Sequence, residues 1–309
     1  MPPFPPFYEP RRIGTLFYPD TARIAAEAAV AGLPPASKDT RNVHLLLIDM
    51  QVDFCHPNGS LYVPGAPGDV QRAVEFIYRN AGQITQITCS LDSHLPSQIF
   101  SPNWWADADG NHPAPFTIVT VQEVQSGRWQ PLVEPDWSRE YVARLEQDHK
   151  KLLTIWPYHV LIGSPGHMLD PELWSAVFWH SVARKTQPTW MHKGSLPLTE
   201  HYSIIQPEVL VPGVPGGGKN QAFLDELAEA DLIFVAGEAM SHCVLETVED
   251  LVEEFADQPE ILRKVLFLRD CTSPVVHPEV DFGAIAAVRL AEFEQMGVRL
   301  VDSIAVDLS

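Results

Sequence analysis

The sequence predicts a three-layer α/β/α fold in which helices cover both faces of a parallel β-sheet. The apolar run at 43–49 is typical of a strand buried on both faces. Strand-like and helix-like segments then alternate along the chain, which is the order expected for parallel strands joined by crossover helices. With 309 residues and 45% hydrophobic content, the chain is long enough for one large α/β domain or two small ones.

Each element follows from a local pattern. The segment 69–84 places Val70, Ala73, Val74 and Ile77 on one helical face, and 171–185 begins with Pro171 in its first turn after Asp170. The full set of predicted helices is 69–84, 171–185, 220–230, 241–255 and 278–295. The predicted strands are 43–49, 87–91, 189–192, 231–236, 264–268 and 298–301.

Two stretches fall outside this alternation. Residues 1–38 form a proline-rich N-terminal extension, which we expect to pack irregularly or to lie at a subunit contact. The remaining 39–309 form the main domain, with a tryptophan-rich insertion at about 95–155 that holds Trp104, Trp105, Trp129 and Trp137. A loop of that length is usually functional or an interaction element.

Composition excludes several partners. The net charge of −19 argues against nucleic acid or an anionic membrane surface, since both require a basic face. No apolar run approaches the roughly 20 residues of a membrane span, and the N-terminus lacks the pattern of a signal peptide. The four cysteines form neither a C-x-x-C pair nor a zinc spacing. We therefore expect a cytoplasmic protein that acts on a small molecule.

Three reactive residues follow predicted strands. Asp49 ends the first strand, Lys193 follows the strand at 189–192, and Cys243 lies just past the strand at 231–236. Ligands bind at the carboxyl ends of strands in open α/β sheets, and a base, a cation and a thiol together suit acyl transfer. A helix N-terminus and the lysine would both stabilise the thiolate, while Asp49 accepts its proton. The alternative is a buried Asp49–Lys193 ion pair beside a core cysteine.

A second group has the composition of a metal site. Asp92 and His94 are alternate residues at a strand end and so share a face, and a distant histidine, His159, can complete two-His-one-carboxylate ligation. Zinc, iron or manganese would fit, with zinc favoured. With twelve histidines in the chain, accidental proximity is the alternative.

Five segments together resemble the isochorismatase-like cysteine hydrolases, and within that superfamily the nicotinamidases. They occur in the family's order and span about two thirds of the chain: LLLIDMQVDFC (45–55), LDSH (91–94), WPYHV (156–160), HKGS with EHYS behind it (192–203), and GEAMSHCV (237–244). Each segment alone is a weak signal. All five in order, each at a predicted strand end or neighbouring loop, make a strong one.

The resemblance assigns roles residue by residue. It implies that Asp49, Lys193 and Cys243 are catalytic and that Asp92, His94 and His159 bind the metal. Some nicotinamidases add a fourth histidine after the Asp-x-His, for which His112 is a candidate here. It implies an oxyanion hole from the N–H groups of Ala239 and Cys243, with a cis peptide at Glu238–Ala239. It also implies that Phe54, Trp156 and Tyr202 bind the substrate ring, for which core packing is the alternative reading.

The implied reaction is hydrolysis of nicotinamide to nicotinate and ammonia through a cysteine thioester, with a role in NAD salvage and assembly as a homo-oligomer. Alternatives are hydrolysis of another small amide, such as a carbamoyl or maleamate-like compound, or an isochorismatase-type reaction. That last branch commonly lacks the nucleophilic cysteine. A catalytically silent binding or assembly protein on the same fold is a further alternative. The insertion, Glu200 and His201 depart from the family pattern and leave the substrate open.

Overall fold

A six-stranded parallel sheet forms the centre of the computed structural model, which describes residues 4–147, 151–277 and 280–308. Its strands are β1 (Val43–Ile48), β2 (Gln86–Asp92), β3 (Thr189–Lys193), β4 (Leu232–Gly237), β5 (Val265–Leu268) and β6 (Arg299–Val301). They lie in the order β6-β5-β4-β1-β2-β3, and every neighbouring pair is parallel. The predicted strands are confirmed to within one residue at either end.

Helices cover both faces of this sheet, so the predicted three-layer α/β/α fold is confirmed. The helices are α1 (Thr21–Val30), α2 (Val52–Cys55), α3 (Ala66–Asn80), α4 (Val121–Ser126), α5 (Pro135–Gln147), α6 (Pro171–Arg184), α7 (Gln221–Ala228), α8 (Leu245–Glu254), α9 (Pro259–Leu262) and α10 (Phe282–Met296). Leu45 and Leu47 of β1 pack with α1, α3 and α6 on one face, and Leu46 and Ile48 pack with α7, α8 and α10 on the other. None of the helices in the described residues is long and apolar enough to cross a membrane.

Three helices differ from their predicted limits by three residues or more. Helix α3 begins three residues before the predicted 69, since Pro67 fits a first turn, and it ends at Asn80, whose amide donates to the Phe76 carbonyl. The predicted helix 241–255 is a π-helical turn, Met240–Val244, followed by α8. The predicted helix 278–295 begins at Phe282 with an Asp281 cap, and its first two predicted residues lie outside the described ones.

The N-terminal extension contains a helix that the proline-rich sequence did not lead us to predict. Helix α1 packs along α6, with Ile24 and Ala28 buried. Two backbone amides of the extension donate to carboxylates of the main domain, Glu9 N to Glu172 (2.8 Å) and Gly14 N to Asp170 (3.0 Å). The extension is thus anchored to the α6 side of the sheet, and its use at a subunit contact stays a prediction.

The insertion is a folded unit rather than a long loop. Two antiparallel strand pairs, Trp105–Ala106 with Gln130–Pro131 and Ile118–Val119 with Leu153–Thr154, accompany α4 and α5. Its described residues, 95–147 and 151–155, are called the cap below. The cap has its own hydrophobic cluster, which includes Trp104, Trp105, Trp129, Tyr141 and, from the loop that follows, Trp156.

Candidate active site

The proposed reactive side chains meet at the carboxyl edge of the central strands. Asp49 directly follows β1, whereas Asp92 and Lys193 are the last residues of β2 and β3 and are partners in the strand register. Asp49 has a φ of 48°, a left-handed conformation that aspartate tolerates better than most residues. All three side chains are buried, so their charges interact with little screening by solvent.

Lys193 lies at the centre of this group. Its Nζ is 2.8 Å from Asp49 Oδ2 and 3.1 Å from Asp92 Oδ1, and it donates to the His201 carbonyl (2.8 Å) and to Cys243 Sγ (3.5 Å). Burial opposes the charge of Lys193, but the two carboxylates outweigh burial and raise its pKa. Lys193 is therefore a permanent cation. Asp49, Asp92 and Cys243 offer ligand atoms within 4.8 Å of one another, and this ammonium occupies the position that a cation would take among them.

Cys243 lies in the π-helical turn that precedes α8, at the floor of a cavity. Burial raises the pKa of its thiol well above the usual value, and the opposing effect of Lys193 does not cancel this because Asp49 and Asp92 are also close. We expected the lysine and the helix N-terminus to stabilise the thiolate. The resting sulfur instead keeps its proton, so attack requires a base.

Asp49 is the group placed to take that proton. Its carboxylate lies within 4.8 Å of Cys243 Sγ, and burial raises its pKa although Lys193 acts in the opposite direction. Ser90 of β2 holds Asp49 from the other side, since Ser90 Oγ donates to Asp49 Oδ1 (2.6 Å) and accepts from its backbone N–H (3.0 Å). We did not predict this role for Ser90. Its only sequence signal is its position two residues before Asp92 on the same strand.

Asp92, His94 and His159 form a buried cluster whose ligand atoms lie within 4.8 Å of one another. His94 Nε2 is 3.0 Å from Asp92 Oδ2, and the two imidazole centroids are 4.5 Å apart. His159 Nδ1 donates to the Pro157 carbonyl (2.7 Å), which leaves its Nε2 lone pair for an ion. Burial and the neighbouring His94 lower the pKa of His159 to about 3, so it is in its neutral, metal-binding form. These donors fit zinc, iron or manganese.

Two residues of the segment 45–55 support this cluster, and we predicted no role for them from the sequence. The Gln51 side chain accepts from the Asp92 backbone N–H and donates to the Asp92 carbonyl, both at 2.8 Å. Asp53 accepts from the Val160 N–H (2.7 Å) and so fixes the loop that carries His159. Both belong to the Asp-x-Gln-x-Asp pattern that begins at Asp49, and this pattern is the feature of the sequence that could have indicated their role.

Gly194 allows the close packing of Lys193 and Asp92. It has a φ of +77°, and a Cβ at this position would lie 2.2 Å from Asp92 Oδ1. Any side chain here would therefore displace the carboxylate from both Lys193 and His94. His112, the candidate fourth ligand, is exposed, hydrogen-bonds the Trp105 carbonyl through Nδ1 (2.6 Å) and lies outside the cluster.

The three predicted ring-binding residues line one cavity with Cys243 and the metal cluster. Phe54, Trp156 and Tyr202 form part of the wall of a small cavity with a volume of about 30 Å³. Trp156 and Tyr202 meet at right angles with centroids 6.5 Å apart, and Phe54 contacts the edge of His159. These aromatic side chains are of the type that stacks against a flat ring.

Other wall residues were not predicted. They are Leu61, Phe100 of the cap, Glu200, His201, His242 and Val275. His242 packs edge-on against Trp156 and Tyr202.

Ala239, the other residue proposed for an oxyanion hole, also lines the cavity. The Glu238–Ala239 peptide is cis, as the resemblance implies. Gly237, with a φ of +142°, lets β4 approach β1 closely, because a Cβ there would lie 2.1 Å from the Ile48 carbonyl oxygen. The backbone thus carries Ala239 and Cys243 to the same cavity floor.

Comparison with solved structures places this fold among the nicotinamidases. Yeast nicotinamidase bound to the inhibitor nicotinaldehyde matches with a TM-score of 0.56 and 18% identity, over 84% of this chain and 99% of the yeast chain. A nicotinamidase/pyrazinamidase from Acinetobacter baumanii matches with a TM-score of 0.56 and 18% identity, over 86% and 99% of the two chains. A protein from L. infantum in complex with nicotinate matches with a TM-score of 0.50 and 21% identity, over 87% and 96%.

Comparisons with protein families and with curated proteins find no match to this sequence. At these identities the structural similarity establishes the fold. The chain therefore has the isochorismatase-like fold that these nicotinamidases share.

Proposed function

We propose that the protein is a metal-containing cysteine amidohydrolase that converts a small carboxamide to its acid and ammonia, with nicotinamide the favoured substrate. The observation that carries this proposal is the contact of Lys193 with both Asp49 and Cys243 at the floor of an aromatic cavity. A base, a fixed cation and a thiol in contact are what thiol-based acyl transfer requires.

Asp49 begins the reaction by accepting the thiol proton while the sulfur attacks the amide carbon. The transfer is concerted with attack, because burial keeps the proton on Cys243 in the resting site. Asp49 then returns the proton to the departing nitrogen, and ammonia leaves as the C–N bond breaks. Asp49 next takes a proton from water, whose oxygen attacks the thioester and releases the acid and the thiol. Lys193 stabilises the negative charge of the site throughout.

The tetrahedral intermediate places a negative oxygen near the backbone of Ala239 and Cys243. We assign their N–H groups to the oxyanion hole, where loss of one donor typically costs about 3 kcal/mol of transition-state stabilisation. Phe54, Trp156 and Tyr202 would hold the ring between them. A divalent ion held by Asp92, His94 and His159 would supply a Lewis-acid contact for a ring nitrogen and so orient the substrate.

The direct test is ammonia release from nicotinamide by the zinc-loaded protein. We expect turnover by the unchanged protein and a loss of at least about 1,000-fold in Cys243→Ala. Cys271→Ala is the matched control, since Cys271 is also buried but lies outside the cavity. Equal rates in the unchanged protein and Cys243→Ala would refute the mechanism.

A further inference from the structure

The cavity wall contains a carboxyl group that the proposed reaction does not use. Glu200 is 3% exposed and shares the cavity with Cys243. Its Oε1 accepts hydrogen bonds from Trp156 Nε1 (2.6 Å) and from the Tyr202 hydroxyl (2.5 Å). Its backbone N–H donates to the Tyr141 hydroxyl in α5 (3.1 Å). Glu200 is thus fixed in place against two of the proposed ring-binding side chains.

Burial raises the pKa of Glu200, and the cation that opposes this effect, Lys151, is already paired with Glu208 and Glu246. Within residues 4–147, 151–277 and 280–308, no ion pair includes Glu200, and no lysine or arginine lines the cavity. Lys193 lies behind Cys243 and contacts Asp49 and Asp92 instead. Burial lowers the pKa values of His201 and His242 in the wall to about 3, so both imidazoles are uncharged.

We propose that Glu200 determines substrate class by restricting the site to uncharged carboxamides and opposing ligands that carry a carboxylate. The inference rests on the proposed function. Asp49, Asp92 and ionised Glu200 together balance Lys193 and one divalent ion, so a neutral amide leaves the site balanced and an anion does not. A protonated Glu200 would leave one positive charge unbalanced, so it is the ionised form that disfavours an anion.

The same charge distinguishes substrate from product. Hydrolysis turns an uncharged amide into a carboxylate, and Glu200 then repels the ligand that must leave. It also separates the candidate substrates. A maleamate-like amide carries a carboxylate and is disfavoured, whereas nicotinamide is neutral.

The experiment compares two ligands that differ in this one group. Nicotinamide and nicotinate are titrated by calorimetry into zinc-loaded Cys243→Ala protein, with and without Glu200→Gln, at pH 9. Burial raises the pKa of Glu200 to about 8, so it is ionised at this pH. We expect Glu200→Gln to bind nicotinate about tenfold more tightly and nicotinamide within about threefold of the parent.

Glu246→Gln is the matched control. Glu246 is a buried glutamate whose pKa burial also raises to about 8, but it does not line the cavity, so the ratio of affinities should not change. A second measurement needs no glutamate variant. In the wild-type enzyme at pH 9, the Ki of nicotinate should exceed the KM of nicotinamide by about tenfold or more, and the ratio should fall at pH 7, where Glu200 is mostly protonated.

The outcomes separate this inference from the proposed function. If neither ligand binds, the proposed function fails and this inference fails with it. If nicotinamide binds but Glu200→Gln leaves the ratio of the two affinities unchanged, even when it weakens the binding of both ligands, Glu200 has a structural role only. The inference alone is then wrong.

Discussion

At the scale of single residues, Ser90 contributes to the pKa of the proposed base, which burial raises and Lys193 lowers more strongly than Ser90 does. Its hydroxyl donates to Asp49 Oδ1, a bond that favours the ionised carboxylate and lowers the pKa of Asp49. Ser90→Ala removes the bond, so the pKa of Asp49 rises and less carboxylate is present at neutral pH. We expect the acid limb of kcat/KM to move to higher pH and kcat to fall by about tenfold.

Thr88→Val is the matched control for this measurement. Thr88 lies two residues earlier on the same side of β2, and its buried hydroxyl has no hydrogen-bond partner among the described residues. Its pH profile should superimpose on that of the unchanged enzyme. An unshifted acid limb in Ser90→Ala would show that Ser90 does not act through Asp49.

Sequence reasoning located the residues that end strands and missed those that support them. Asp49, Asp92 and Lys193 lie together because adjacent parallel strands bring their carboxyl ends to one edge. Ser90 and Glu200 gave no such signal. Ser90 contacts Asp49 only in the register that β1 and β2 adopt, and Glu200 reaches the cavity through a loop whose path depends on the cap.

At the scale of elements, α5 of the cap positions the loop that follows β3. Trp137 Nε1 donates to the Leu198 carbonyl (2.7 Å), two residues before Glu200. Trp137→Phe keeps an aromatic ring but removes this bond. We expect a loss of about 1 kcal/mol in unfolding free energy and a several-fold rise in KM with kcat nearly unchanged, measured by urea denaturation and steady-state kinetics.

A second cap tryptophan supplies the comparison. Trp129 is buried in the same cluster, but its Nε1 has no hydrogen-bond partner within the described part of the chain. Trp129→Phe therefore removes packing contacts but no hydrogen bond. If both variants change KM equally, the Trp137 hydrogen bond does not position the loop.

The central strands β1, β4 and β5 were predictable because a strand buried on both faces is an apolar run whatever surrounds it. The turn at Met240–Val244 was not, since its backbone is set by tertiary contacts such as the bond from Met240 N to the Ser273 carbonyl. The cap core was not predictable either. Its tryptophans are spread over the insertion, and nothing local indicates which of them meet.

At the scale of the whole molecule, buried carboxyl groups make stability depend on pH. Burial raises the pKa values of Glu200 and Glu246 to about 8, far above the 4.5 of an unperturbed glutamate. The folded protein therefore keeps protons that the unfolded chain has already released. By linkage, the stability from each group is complete below about pH 4.5 and is lost as the pH rises through about 8.

Buried histidines act in the opposite direction, but in a lower range. Burial lowers the pKa values of His44 and His180 to about 4, so their contribution is complete above the unfolded pKa of 6.5 and is lost as the pH falls through about 4. Above pH 6.5 their contribution is constant. Buried carboxyl groups then set most of the slope, and the four buried cysteines, whose pKa values burial raises, add to it near pH 8.5.

We therefore expect the metal-free protein to lose stability between pH 6.5 and 8.5, by on the order of 1 kcal/mol per pH unit for each of Glu200 and Glu246. Urea denaturation at pH 6.5, 7.5 and 8.5 measures this slope. Glu200→Gln and Glu246→Gln should each flatten it, because an amide binds no proton in either state. A free energy of unfolding that stays constant or rises over this range would contradict the burial of ionisable carboxyl groups at these two positions.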